Sequence, residues 1–319
     1  MYPPFQLTSK ILSLVSDISL LLGKYEGLHA PIPQPRLRKQ NRVRTIKDSL
    51  AIEGNTLNLE QVTAIFEGKR VGGPKQDIRE VQNTIKLYES LHDLNPTRSK
   101  NLLWAHGVLM KDLAQDGGRY RLGAVGILKG HHVSHLAPPA KRVPELMENL
   151  FNFLKSKSEL HALIRACVFH YELEFIHPFS DGNGRIGRFW QYLILTKYNP
   201  AFEYIPIESL IKERQATYYR ALESSDKKGD STDFIEFSLE TIRDALKDFL
   251  IHLKPEPETP KSRLDLAQNK FGQTEFSRKD YLLIFKTIST ATASRDLALG
   301  VAEKKLKKTG TQATAKYRF

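Results

Sequence analysis

The run His177-Pro178-Phe179-Ser180-Asp181-Gly182-Asn183-Gly184-Arg185-Ile186-Gly187-Arg188 gathers an imidazole, a carboxylate, three glycines and two guanidinium groups into one turn. Before it, Leu160 to about Phe175 is apolar nearly all round. After it, Arg185 to Lys197 has helical composition, with Phe189, Trp190, Leu193, Ile194 and Leu195. A helix with no polar side belongs at the centre of a bundle. The stretch therefore reads as a helix-loop-helix with its loop at His177 to Asn183, and the chain as all-α around it.

The residue types in that loop point to anion chemistry. Gly182 and Gly184 let successive backbone N–H groups converge where the following helix presents its positive end. Arg185 and Arg188 lie three apart on one face near that helix start, where cations oppose the dipole unless an anion sits between them. A polyphosphate resolves the conflict. Asp181 would be repelled by such an anion unless a hard cation such as Mg²⁺ bridged the two. His177 is the natural proton acceptor near neutral pH.

Three better-known patterns overlap the run; one matches weakly and two fail. Gly182, Gly184 and Gly187 match the dinucleotide-binding GxGxxG, with Glu203 or Glu208 near the acidic position, but that fingerprint must follow a strand and the preceding residues are helical. A P-loop needs Lys-Ser/Thr where Arg188-Phe189 stands. An EF-hand with Gly184 at its sixth position would put Phe179 and Trp190 where acidic ligands belong.

Working outward, residues 1 to 30 read as a helix, with Leu7, Ile11, Leu14, Val15, Ile18, Leu21 and Leu22 at three- and four-residue steps, followed by a Pro-rich connector from Pro31 to Pro35. A second helix runs from Leu37 to about Ile52, and Gly54-Asn55 stops it. Glu53 at its end lies against the dipole. The residues alone leave it either a solvated surface acid or a group held by a cation elsewhere. Helices follow over Leu59–Glu67, Ile78–Leu91, Trp104–Leu113 and Val143–Leu154, and later over Glu208–Leu222 and Asp233–Leu253. A short hairpin, Ala124 to Leu128 and His132 to His135, turns through Lys129-Gly130. His131, His132 and His135 raise the idea of a metal, but an open strand edge with hydrogen-bonding side chains is the more economical reading.

The 319 residues, 40% hydrophobic and 26% charged, are those of an ordinary water-exposed globular chain. The longest apolar stretch near the N-terminus, Ile11 to Leu22, is broken by polar residues and lacks the features of a signal peptide, so a cytoplasmic protein is expected. The single Cys167 excludes an internal disulfide framework. A net charge of +12 calls for an anionic partner. Part of the excess sits in Lys304, Lys305, Lys307, Lys308, Lys316 and Arg318. The segment Lys254 to Lys261, rich in proline and charge, reads as a linker. Beyond it, Ser277–Lys286, Thr292–Lys304 and a Gly310-centred hairpin read as a helix-turn-helix with a wing.

HPFSDGNGRIGR resembles the HxFx(D/E)GNGRxxR signature of Fic-domain proteins. Ser49-Leu50-Ala51-Ile52-Glu53-Gly54-Asn55 is similar to that family's inhibitory motif, (S/T)xxxE(G/N). Tyr120-Arg121 through Pro138-Pro139 is similar to its flap region. The resemblance implies an all-α fold: a Fic helical core with a small β-hairpin flap, plus a C-terminal winged helix module. It divides the chain into an N-terminal helical region with an inhibitory helix (1–95), a catalytic core (96–253), a linker (254–266) and the winged module (267–319).

The activity implied is protein AMPylation: transfer of AMP from ATP, with Mg²⁺, to a Tyr, Thr or Ser hydroxyl of a target protein or of the enzyme itself, releasing pyrophosphate. By resemblance, His177 is the catalytic base and Asp181 holds the metal. Gly182, Asn183 and Gly184 cradle the α- and β-phosphates, and Arg185 and Arg188 balance the leaving portion. Val125, Gly126, Ile127, Leu128, His132, Val133 and Ser134 dock the target backbone. Glu53, with Ser49, blocks the γ-phosphate position by reaching Arg188. Alternatives are a Fic enzyme using another nucleotide or removing AMP, and a DNA-binding regulator acting through the winged module. A homodimer and a further DNA or protein partner for that module are compatible expectations.

Overall fold

The structure is a computed structural model that describes residues 3–27, 35–129, 132–156, 159–252, 259–285, 288–310 and 315–319; the side chains of 35, 36, 126–136, 252 and 269 lie outside that description. The chain divides into two compact units, Met1–Leu253 and Lys254–Phe319.

In the first unit, α1 (Ser9–Gly27), α2 (Pro35–Ile52), α3 (Leu59–Phe66), α4 (Lys75–Glu89) and α5 (Ser99–Leu109) precede a hairpin, β1 (Gly126–Lys129) and β2 (His132–Leu136). Then come α6 (Val143–Lys155), α7 (Ala162–Ile176), α8 (Asn183–Tyr198), α9 (Ile207–Glu213), α10 (Gln215–Lys228) and α11 (Thr232–His252).

α7 is the axis. Leu163, Cys167, Val168, Phe169, Leu173 and Ile176 are buried on all its sides, as a helix without a polar face requires. α8 packs along it, with α5 against α8 and α6 and α11 against α7. Close approach is set at Gly187, where an added Cβ would stand 2.9 Å from the Glu174 carboxylate and 3.2 Å from the His170 ring. The apolar pattern hid a polar seam between the two helices. His170 Nδ1 meets Gln191 Oε1 at 2.8 Å, and Gln191 Nε2 donates to Ser238 Oγ of α11 at 2.7 Å.

α2 is strongly basic, yet Val43, Ile46 and Leu50 form a buried stripe at i, i+3, i+7. Each such side chain contributes roughly 1.5–3 kcal/mol of burial. The stripe holds α2 against α9, α3, α4 and α8.

Several boundaries depart from the sequence expectation. The first helix begins only at Ser9, because Pro4 O is taken by Ser231 N–H at 2.9 Å and Gln6 N–H by Thr232 Oγ1 at 2.8 Å, which holds the preceding residues extended against the start of α11. The helix expected over Trp104–Leu113 starts at Ser99 and ends at Leu109, with Asp112 in the left-handed region (φ 62°). The single helix expected over Glu208–Leu222 is two, broken at Arg214, whose guanidinium reaches Asp244 of α11 at 2.9 Å. Residues 28–34, with the Pro-rich connector up to Gln34, and the hairpin tip at Gly130 and His131 lie outside the described residues.

The second unit contains α12 (Pro260–Phe271), β3 (Phe276–Ser277), α13 (Arg278–Ile284), α14 (Thr290–Ala302), β4 (Lys307–Thr309) and β5 (Lys316–Arg318). Its sheet has the antiparallel order β3-β5-β4. Leu264, Ala267, Phe276, Tyr281, Phe285, Ala293, Leu297 and Leu306 form its core, and a bidentate Arg263–Asp296 pair is buried within it at 2.6 and 2.8 Å. The linker expected over 254–266 is shorter: Thr259 caps α12 through its side chain and Pro260 takes the first helical turn, where a proline costs no hydrogen bond. Residues 253–258, at the start of that linker, and 311–314, at the expected wing tip, lie outside the described residues. Among the described residues no helix is long and apolar enough to cross a membrane.

Candidate functional site

α7 ends where His177 turns into the left-handed region (φ 50°, ψ 60°) while its N–H still donates to Leu173 O at 2.9 Å. Its Nδ1 lies 3.3 Å from Glu174 O. A carbonyl only accepts, so this contact puts a proton on Nδ1, and in the neutral ring Nε2 then carries the lone pair. A base is thus held at the mouth of the loop.

The loop is held from inside by two side chains. Asn183, buried at the start of α8, accepts from Phe179 N–H and donates to Phe179 O, both at 2.9 Å. Its amide, expected among the phosphate contacts, is committed at both ends to shaping the turn. His106 of α5 stacks on Phe179 with ring centroids 3.6 Å apart and planes at 7°. Gly118 N–H donates to His106 Nδ1 at 2.9 Å, so the proton is on Nε2, which donates to Asp181 O at 2.9 Å. Burial pushes the His106 pKa down to about 4, which keeps this ring neutral.

Asp181 Oδ1 accepts from Gly182 N–H at 2.5 Å and from Arg185 at 2.9 Å. Both bonds fall on the same oxygen, and the side chain is 62% exposed. A single accessible carboxylate beside an anion site is the donor set Mg²⁺ uses when substrate phosphates and water complete its shell. The residues present fit that ion, and Asp181 is the side chain that would hold it.

Arg185 is buried and also donates to Glu80 Oε1 of α4 at 2.9 Å; Glu80 Oε2 accepts from Asn55 Nδ2 at 2.8 Å. Arg188 is 1% exposed. Its Nε donates to Ser49 Oγ at 3.1 Å, one terminal nitrogen donates to Ser49 O at 2.9 Å and reaches Glu53 Oε1 at 2.8 Å, and the other terminal nitrogen has no hydrogen-bond partner. Burial works against this cation, but Glu53, Tyr218 and Glu174 together more than offset it and raise the pKa. Glu174, one turn before His177, is the buried acid on the other side. Burial disfavours its charge, yet His170, His177 and Arg188 hold its pKa below the ordinary value.

Glu53 enters the anion site itself. An added Cβ on Gly184 would collide with its carboxylate, so the glycine turn expected to admit a phosphate here admits Glu53. What holds Glu53 there is the docking of α2. Gly54 at φ 93° ends the helix. The orphan carbonyls accept from the next layer, Ala51 O from Lys212 at 3.2 Å and Ile52 O from Gln215 at 2.9 Å. In the hairpin, Gly126 pairs with Leu136, Ile127 with His135, Leu128 with Val133 and Lys129 with His132. The register slips between Ile127 and Leu128, which leaves Ser134 as the extra, bulged residue. Val125 precedes the strand and is half-buried.

The structure thus gathers His177, Asp181, Gly182, Gly184, Arg185, Arg188, Ser49 and Glu53 around one loop. His106, Glu80, Glu174 and Arg121 belong to the same network and had not been singled out. A histidine or glutamate on a helix carries no local mark of the turn it will meet. Arg121, inside the flap-like stretch, was the one with a signal.

Residues 96–195 match the family model of the Fic/DOC family. The chain is 32% identical over 221 residues to the protein adenylyltransferase Fic of Nematostella vectensis, covering 65% of this chain and 48% of that protein. It is 30% identical over 241 residues to the protein adenylyltransferase fic-1 of Caenorhabditis elegans, covering 72% and 44%. The chain therefore spans less than half the length of the curated relatives it matches. The crystal structure of a Fic family protein from Desulfovibrio desulfuricans G20 superposes with a TM-score of 0.77 at 40% identity, covering 100% of this chain and 98% of that one. With the signature loop between its two core helices and a likeness that runs the whole length of a solved Fic protein, the chain belongs to the Fic/DOC family.

Proposed function

We propose that this protein is an autoinhibited adenylyltransferase of the cytoplasm that transfers AMP from ATP to a Tyr, Thr or Ser hydroxyl of a target protein, or of itself, and releases pyrophosphate. The observation that carries the reading is the Glu53–Arg188 pair: a buried cation, pre-built at a glycine turn, occupied by the chain's own carboxylate at 2.8 Å. The names of the relatives, protein adenylyltransferases, supply the reaction.

In this mechanism Arg188 takes the γ-phosphate and Arg185 the neighbouring phosphate oxygens, with the N–H groups of Gly182 to Gly184 turned to the α- and β-phosphates. Asp181 would hold Mg²⁺, which when bound neutralises phosphate charge. His177 Nε2 takes the proton of the target hydroxyl as its oxygen attacks the α-phosphorus; the α–β bridging bond breaks and pyrophosphate leaves. The β1–β2 edge aligns the target's extended backbone by strand addition. Glu53 competes with the γ-phosphate for Arg188, so nucleotide bound beside it lacks the alignment for in-line attack.

Incubation with labelled ATP and Mg²⁺ tests this. Weak self-labelling of the wild type, strong labelling of Glu53→Gly and loss of about a hundredfold or more in Glu53→Gly/His177→Ala are expected. Labelling that survives the loss of His177 would sink the proposed base.

A second reading concerns residues 254–319, where basic residues outnumber acidic ones two to one. We propose a winged helix-turn-helix here, with α14 as the reading helix and the exposed Lys307 and Lys308 of β4 on the wing. Duplex DNA binding that weakens steeply with salt is expected, and no binding at low salt would exclude it.

A further inference from the structure

We propose that Arg121 is a positioning residue that locks the base of the β1–β2 hairpin to the His177 loop, so that the strand edge and the catalytic base move as one body. The consequence for catalysis rests on the transfer reaction proposed above.

Arg121 is 3% exposed, and no carboxylate among the described residues pairs with it. The other buried arginines each face an acid: Arg185 has Glu80 and Asp181, Arg188 has Glu53, and Arg263 has Asp296. Arg121 is instead surrounded by backbone carbonyls. Nε donates to His177 O at 2.7 Å, one terminal nitrogen to Gly123 O at 2.8 Å, and the other to Pro138 O at 2.6 Å and Ile176 O at 3.3 Å. Its own backbone N–H donates to Pro178 O at 2.9 Å.

Burying a guanidinium without a counter-ion is costly unless its N–H groups are satisfied. This cage satisfies them with groups whose positions matter. Ile176 and His177 supply carbonyls at the negative end of α7, which a cation stabilises and which have no partner within the helix. His177 sits in the left-handed region, a conformation that is costly for a non-glycine residue and persists only when its surroundings hold it. Gly123 and Pro138 are the feet of the hairpin, one just before β1 and the other just after β2. One rigid planar fork therefore fixes the end of the catalytic helix and both feet of the hairpin together. A target strand added to that edge arrives at a set distance from His177. A lysine at 121 keeps the charge but offers a single point of donors, which cannot span carbonyls on opposite sides.

The test compares the full-length Glu53→Gly protein with Glu53→Gly/Arg121→Lys. Amide exchange is expected to accelerate about tenfold or more in both 124–137 and 177–182. ATP affinity is expected to stay within about twofold, because Arg121 touches no group assigned to the nucleotide, while self-labelling falls about tenfold or more. Faster exchange in one segment only, or ATP affinity falling in step with labelling, overturns the proposal. If Glu53→Gly itself fails to label, the transfer reading is wrong, and the exchange arm still decides the role of Arg121. Should Arg121→Lys not fold, native-state exchange in the wild type serves: the clamp requires 124–137 and 177–182 to open in one event, and separate openings overturn it.

Discussion

The signature loop has two ends, both anchored by a buried arginine, and the two anchors differ in kind. At the His177 end Arg121 is caged by four backbone carbonyls that no soluble ligand can replace. At the other end Arg188 is held by Ser49 and by the carboxylate of Glu53, whose side chain is 34% exposed. A carbonyl cage fixes geometry; a carboxylate that is itself about one-third exposed can be exchanged for another anion. On the function proposed above, the fixed anchor lies where a proton is taken and the exchangeable one where a phosphate enters.

Removing the exchangeable anchor gives the largest expected effect. In Glu53→Gly the buried Arg188 loses its carboxylate, so the nucleotide-free protein is expected to lose about 3 kcal/mol in stability, and ATP with Mg²⁺ is expected to restore most of it in a thermal melt. The wild type is expected to shift little with ATP. An equal ATP shift in both proteins would mean that Glu53 does not occupy the anion site.

His106 sharpens the rigid half through pH. Its folded pKa of about 4 is depressed from 6.5, so the unfolded chain binds the extra proton between those values. The contribution of His106 is therefore present above about pH 6.5 and lost as pH falls toward 4. The loss is about 2 kcal/mol near pH 5. The stability difference between wild type and His106→Gln, measured by urea unfolding, is expected to shrink by that amount between about pH 7 and pH 5. A difference that does not vary with pH would show that burial does not depress this histidine.

The smallest effect tests how α2 is docked. Gln215→Ala removes one of the three side-chain donors that cap the end of α2. A loss of about 1 kcal/mol is expected, with a several-fold rise in basal self-labelling as Glu53 is released more often. A rise equal to that of Glu53→Gly would mean that this one bond holds the whole helix.

Much of this was legible in the chain, for identifiable reasons. A helix apolar on every side can only be central, so α7 and its partner α8 were readable before any coordinates. The density of glycine, arginine, histidine and aspartate in one turn points to an anion site by residue type, and Gly54-Asn55 marks where α2 stops. These are local properties: periodicity, backbone freedom and charge within a few residues.

What only the tertiary structure decided is which partner each polar group receives. Glu80 meets Arg185 across 105 positions, and Ser49 meets Arg188 across 139. No spacing rule reaches that far. Asn183, whose type suits a phosphate, bonds Phe179 through both ends of its side-chain amide, while His106 on its helix and Arg121 in the flap-like stretch meet the loop across long separations in sequence. The physical reason is that a side chain's type states what it can bond, whereas burial and packing choose the bond it makes.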